Sequence, residues 1–130
     1  MEIRRLGPED GDVVRKLATR PPHFELLEDE RTVFLAAFED GEPIGFAFGY
    51  VLRRRHGAST ILFVYEIEVN EGYRRGGIGK ELMRALAREA GAADGFVLTE
   101  PDNEEANALY ASLGGERSDV IQWDFEYAEP

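Results

Sequence analysis

The segment Val69-Asn70-Glu71-Gly72-Tyr73-Arg74-Arg75-Gly76-Gly77-Ile78-Gly79-Lys80 holds the residue types best suited to chemistry. It joins a strand-like pattern to a helix-like one. Glycine lets a backbone approach a ligand closely. The first N–H groups of a helix lack intrahelical acceptors, and the helix dipole favours an anion beside them. Residues 71–90 carry five basic and three acidic side chains, a locally positive stretch in a chain of net charge −11. A phosphate or diphosphate suits this turn; an ordinary glycine-rich turn with solvated arginines would read the same way. Two nucleotide loops are excluded. A Walker A loop needs Gly where Arg74 stands and Ser or Thr where Glu81 stands, and a dinucleotide fingerprint needs a third Gly where Leu82 stands.

The strand before the turn, Tyr65-Glu66-Ile67-Glu68-Val69, carries two carboxylates. Strict alternation predicts Tyr65, Ile67 and Val69 on the face toward a core helix and Glu66 and Glu68 on the other, where a cationic amine could sit. Solvated strand carboxylates are the plainer alternative.

The elements that must position these groups follow from periodicity. Met1 to Arg5 suits a short strand, and residues 9–19 a helix opened by Pro8 and stopped by Arg20-Pro21-Pro22. A second short helix covers Phe24 to Asp29. Strands at 32–38 and 44–52 flank an Asp40-Gly41 hairpin turn. Arg53 to Ser59 is a basic exposed loop, and Thr60 to Val69 a long strand. Ile78, Leu82, Leu86 and Ala90 mark a helix over 76–90 that Gly91 ends. A short strand at 96–99, a helix capped by Asp102 or Asn103 with Ala106, Leu109 and Leu113 on its inner stripe, and a last strand over Val120 to Tyr127 complete the chain. The order β-α-α-β-β-β-α-β-α-β describes an α/β (α+β) fold, a mixed central sheet flanked by helices, in a single domain spanning 1–130.

Composition narrows the function. The chain has 130 residues, 43% apolar, with eight Phe, five Tyr and one Trp, enough for a core. It has no Cys and two His, so thiolate nucleophiles, disulfides and Cys or His metal sites are poorly supplied, and no metal is expected. The acidity argues against nucleic acid and anionic membrane as partners and is compatible with a cationic small molecule. Met1-Glu2-Ile3-Arg4-Arg5 lacks the apolar stretch of a signal peptide, and no apolar run reaches the roughly 18 residues of a membrane span, so a cytoplasmic protein is expected.

Arg74, Gly77 and Gly79 satisfy Arg-x-x-Gly-x-Gly, and Asn103-x-x-Ala106-x-x-Leu109-Tyr110-x-x-Leu113-Gly114 follows one helix and one strand later. The pair resembles the acyl-CoA diphosphate loop and the Asn…Tyr helix of the GNAT superfamily of N-acetyltransferases. Phe34-Leu35-Ala36-Ala37-Phe38, Tyr50-Val51-Leu52, Tyr65-Glu66-Ile67-Glu68-Val69, Ala108-Leu109-Tyr110 and Asp124-Phe125-Glu126 are similar to its aminoglycoside 3-N-acetyltransferases, over roughly 32–127. The family's usual Gly after the loop arginine is Arg75 here, and the acidic substrate loop is partly matched by Glu100 and Asp102.

The resemblance implies the GNAT acyl-CoA N-acyltransferase fold, acetyl-CoA as co-substrate and direct acetyl transfer to a primary amine of a cationic small molecule, the 3-amino group of an aminoglycoside in its narrowest form. Arg74, Arg75, Gly76, Gly77, Ile78, Gly79 and Lys80 would hold the diphosphate. The backbone of Ile67, Glu68 and Val69 would pair with the pantetheine arm, the Val69 N–H polarising the thioester carbonyl. Asn103 would contact the pantetheine, or serve simply as a helix cap. Glu66, through water, would be the base, Glu100 the competing base, and Tyr110 the acid for the departing thiolate. Residues 96–130 hold nine acidic residues against Arg117 alone, a surface that would draw in a polycation or merely be solvated. A homodimer is also implied, with the C-terminal strand a contact. Alternatives are a protein, peptide or polyamine acceptor, or a non-catalytic acyl-CoA sensor.

Overall fold

The computed structural model describes residues 1–128. Five strands form one sheet in sequence order: β1 (Glu2–Arg5), β2 (Thr32–Glu39), β3 (Glu42–Arg53), β4 (Thr60–Val69) and β5 (Asp94–Val97). The first four pair antiparallel, and β5 lies parallel to β4 after a crossover through helix α2 (Ile78–Ala90). Helix α1 (Gly11–Leu17) precedes β2, and α3 (Glu104–Ser112) follows β5.

Strand β2 is buried on both faces, which accounts for its unbroken apolar run. Val33, Leu35 and Ala37 join Ile44, Ala47, Leu62 and Val64 under the Leu82 and Leu86 side of α2. Phe34, Ala36 and Phe38 face the other way, with Leu6, Val14, Leu27 and Phe48, beneath α1 and a 3-10 turn at Phe24–Glu28. The β2–β3 turn has positive φ at both Asp40 (50°) and Gly41 (82°), as an Asp-Gly hairpin requires.

The N-terminal helix is shorter than its pattern. Pro8–Asp10 forms a 3-10 turn, because the Asp10 carboxylate is buried, accepting the Gly7 N–H at 2.8 Å and pairing with Arg4 at 3.0 Å. The second predicted helix is the 3-10 turn just named. Helix α2 begins at Ile78 rather than 76, since Arg75 (φ 72°) and Gly77 (φ 80°) are both left-handed. It ends at Gly91, φ 61°, as expected.

One expectation fails. Residues 115–128 form no strand. Alternation reports that one side of a segment wants burial; it does not supply the neighbour whose backbone a strand must pair with. Here Gly114 (φ 87°) leads the chain away from the body, and Val120, Ile121, Trp123, Phe125 and Tyr127 stand exposed.

Candidate functional site

A gap between two strands creates the site. Strand β4 pairs with β5 only from Ile61 to Val64, opposite Asp94 to Val97, while β4 continues to Val69. Beyond Val64 one edge of β4 has no neighbouring strand. The Asn70 N–H donates to Ile44 O at 2.8 Å, toward β3. Successive N–H groups alternate in direction along a strand, so those of Val69 and Ile67 point into the gap. This is the open backbone edge the sequence reading requires.

The strand-face expectation needs correction at one residue. The β3–β4 register slips between Phe48, opposite Glu66, and Gly49, opposite Val64. Tyr65 is left unpaired as a bulge. Leu62 and Val64 face α2, and Ile67 and Val69 pack on the same core, but Tyr65 emerges beside the carboxylates, 54% exposed. Its ring lies 5.3 Å from Phe48, 5.5 Å from Tyr50 and 5.6 Å from Phe63, and Phe63 stacks on Phe96 at 4.7 Å. Glu66 and Glu68 are exposed, as predicted. Burial, then the charges of Tyr65, Glu66 and Asp29, push the Tyr50 hydroxyl above its ordinary pKa.

The glycine turn folds against the end of β4. Arg74 Nε donates to the Val69 carbonyl at 2.9 Å, and Tyr73 N–H to Asn70 O at 2.9 Å. No side chain caps α2; its first intrahelical bond is Glu81 N–H to Gly77 O, at 3.1 Å. The N–H groups of Ile78, Gly79 and Lys80 therefore remain for an anion. The two glycines serve differently. A Cβ at Gly77 would meet no atom within 4 Å, so the backbone lies open. A Cβ at Gly79 would meet Leu109 Cδ2 at 3.4 Å, van der Waals contact with α3 that leaves no room for a larger side chain without Leu109 moving.

Helix α3 closes the other side. The Asn103 side chain accepts from Ala106 N–H at 3.1 Å, which makes it a true N-cap. Asn107, which the sequence reading passed over, donates from Nδ2 to the carbonyls of Glu100 (3.0 Å) and Asn103 (2.9 Å), bracing the loop before the helix. Tyr110 is half-buried, and burial raises its phenol pKa.

Together these parts enclose a cleft of about 1010 Å³. Glu66, Ile67, Glu68, Val69, Arg74, Arg75, Gly77, Ile78, Gly79, Lys80, Asn103 and Tyr110 all border it. Glu100 and Gly76 do not. Tyr65, Tyr73, Leu98, Thr99 and Leu109 also line it. The signal for Thr99 was available, as it lies just past the end of β5; nothing in the sequence marked the bulge at Tyr65. Arg54, in the basic loop, is taken up by an ion pair with Asp94. The uncapped amides, the open backbone at Gly77 and the size of the cleft fit a long diphosphate-bearing thioester such as acetyl-CoA. Among the described residues, no cluster of His, Asp and Glu is arranged to hold a metal ion, and no helix is long and apolar enough to cross a membrane.

Relatives share this architecture. The chain is 33% identical over 85 residues to the L-2,4-diaminobutyric acid acetyltransferase of Chromohalobacter salexigens. That match covers 63% of the chain and only 43% of the relative's length. The crystal structure of an aminoglycoside acetyltransferase from an uncultured soil metagenomic sample superposes with TM-score 0.82 at 26% identity, covering 98% of each chain. The aminoglycoside N-acetyltransferase AAC(6')-Iy in complex with CoA shares the fold, with TM-score 0.83 at 22% identity over 98% of this chain and 100% of that one. Residues 3–114 match the family described as acetyltransferase (GNAT), and with the strand gap, glycine turn and Asn…Tyr helix in place, the chain belongs to the GNAT family.

Proposed function

We propose that the protein transfers an acetyl group from acetyl-CoA to a primary amine of a cationic small molecule, in the narrower reading the 3-amino group of an aminoglycoside. The observation that carries this is the open edge of β4, with inward N–H groups at Ile67 and Val69, ending at an uncapped helix N-terminus. Acetyl-CoA would supply the activated acyl group. The helix amides with Arg75 and Lys80 hold its diphosphate, and Arg74 fixes the turn to β4. The Val69 N–H donates to the carbonyl oxygen as negative charge develops there. Glu66, through water, takes the proton that makes the ammonium a nucleophile. The new C–N bond replaces the C–S bond, and Tyr110 returns a proton to the departing sulfur. The chain contains no Cys, and direct attack needs none.

The acceptor side supports a polycation. Glu66 and Glu68 offer carboxylates, and the exposed ring of Tyr65 beside them can stack on a sugar or attract an ammonium. Glu100 lies outside the cleft and serves as an electrostatic lure rather than the base. A second reading, acetylation of a small diamino acid, is favoured by the 33% identity to the diaminobutyric acid enzyme. The test is incubation of acetyl-CoA with gentamicin-type amines and with L-2,4-diaminobutyrate, following thiol release and locating the acetyl group by mass spectrometry and NMR. Acetylation of the aminoglycoside 3-amine is expected. Acetylation at another amine would sink the narrower reading, and no thiol release with any amine would sink the proposal.

A further inference from the structure

The face of the sheet turned away from α2 carries an aromatic row that the proposed reaction leaves unused. Leu62 and Val64 face α2, so Phe63 between them faces the other way. Its neighbour on β3 is Tyr50, and its neighbour on β5 is Phe96. The Phe63 and Phe96 rings stack, with 4.7 Å between centroids and 7° between planes. Tyr65 packs T-shaped on Phe63 at 5.6 Å.

The row is open where it nears the cleft. Helix α1 and the Phe24–Glu28 turn pack on β2 and β3, at the far side of this face. On β5, Phe96 is 43% exposed. Leu98, two residues on, is 50% exposed and borders the cleft. Tyr65 borders the cleft too, and the bulge stands it directly beside Glu66. The row is therefore continuous with the place where the proposed reaction holds its amine. Phe63, Phe96 and Leu98 carry no side-chain hydrogen-bonding group. A sugar laid over them would lose water from its hydroxyls and find no partner, whereas a flat aromatic ring has no such group to satisfy.

We infer that the cleft also accepts arylalkylamines, with the ammonium at Glu66 and the aryl ring on Phe63 and Phe96. This rests on the acetyl transfer proposed above and adds a second class of acceptor to it. The ammonium gives one proton to Glu66 through water, and its nitrogen bonds the acetyl carbon as the C–S bond breaks. The second proton shed by nitrogen replaces the one that Tyr110 gives to sulfur. The products are the N-acetyl arylalkylamine, CoA thiol and one proton.

The experiment supplies the full chain with acetyl-CoA and compares phenethylamine with n-hexylamine, which has an amine and an apolar chain but no ring. Thiol release is expected with both, with a KM about fivefold lower for phenethylamine, the scale of one ring-on-ring contact. Phe96→Leu keeps the strand apolar and should abolish that preference; Phe96→Tyr should retain it. Phenethylamine that releases no thiol, or that has a KM no lower than n-hexylamine, would overturn the inference. So would a Phe96→Leu variant that keeps the preference, or one whose sedimenting mass changes, which would mean that a second copy covers the row. Acetylation of an aminoglycoside or of L-2,4-diaminobutyrate without acetylation of phenethylamine would leave the proposed reaction standing and remove this acceptor. Thiol release with no amine at all would remove the reaction itself.

Discussion

Arg74 Nε and the Val69 carbonyl are joined by a hydrogen bond of 2.9 Å. One residue sits in the glycine turn and the other ends β4, so this bond sets the spacing between the two halves of the site. The Val69 N–H points to the same side of the strand as its carbonyl, into the gap beyond β5.

Arg74→Ala should separate those halves without unfolding the protein, because Arg74 is exposed. The expected result is a KM for acetyl-CoA raised about tenfold, the scale of one hydrogen bond from a charged donor. Arg74→Lys should recover little of the loss, since an ammonium cannot reproduce the Nε geometry. Steady-state kinetics with acetyl-CoA varied will decide this.

Gly77 and Gly79 should fail in different ways. Gly77→Glu puts a carboxylate where the backbone must meet a diphosphate, and forces a side chain onto φ 80°, with strain of about 1–2 kcal/mol. Acetyl-CoA binding should vanish in calorimetry while the thermal transition drops only modestly. Gly79→Val instead presses on Leu109, the neighbour of Tyr110 on α3, and should lower kcat as well as affinity.

Under the proposed function, the bulge places Tyr65 on the acceptor side. Tyr65→Ala should raise the KM for an aminoglycoside about tenfold, consistent with loss of a cation–π or stacking contact, and leave that for acetyl-CoA unchanged. Glu66→Gln should lower kcat about 100-fold with both KM values nearly constant, as expected for loss of a general base. A Tyr65 variant that weakens acetyl-CoA instead would place the bulge on the wrong side of the reaction.

Much of this was legible because it is local. The Asp40-Gly41 turn, the stop at Gly91, the Asn103 cap and the glycine turn each depend on a few adjacent residues, and each lies where the sequence puts it. The position of Tyr65 was not legible, because a bulge arises from the register between β3 and β4 and leaves no mark in β4 alone. Residues 120–127 show the other limit. Their alternation announces a strand, but pairing is a relationship with another backbone, and that backbone need not belong to the same chain. Glu100 shows a third limit: proximity to the motif in sequence does not place a residue on the cleft wall, which Glu100 does not border, while its carbonyl accepts from Asn107 Nδ2.

Tyr110 yields the prediction with the clearest pH signature. Burial disfavours its phenolate, so its pKa lies above the ordinary value of 10.0. The acid therefore keeps its proton throughout the working range, and kcat should rise as the amine deprotonates with no alkaline decline below about pH 10. Because burial penalises only the phenolate, the shift leaves stability unchanged below about pH 10 and lowers it as pH climbs through the raised value. Tyr110→Phe should lower kcat about 100-fold at neutral pH with little change in the acetyl-CoA KM. A merely structural tyrosine could give the same loss, so the deciding measurement uses an acyl donor with a more acidic thiol. Such a leaving group needs less protonation, and the deficit of Tyr110→Phe should shrink with it. A deficit that stays constant across donors would mean that Tyr110 only braces α3.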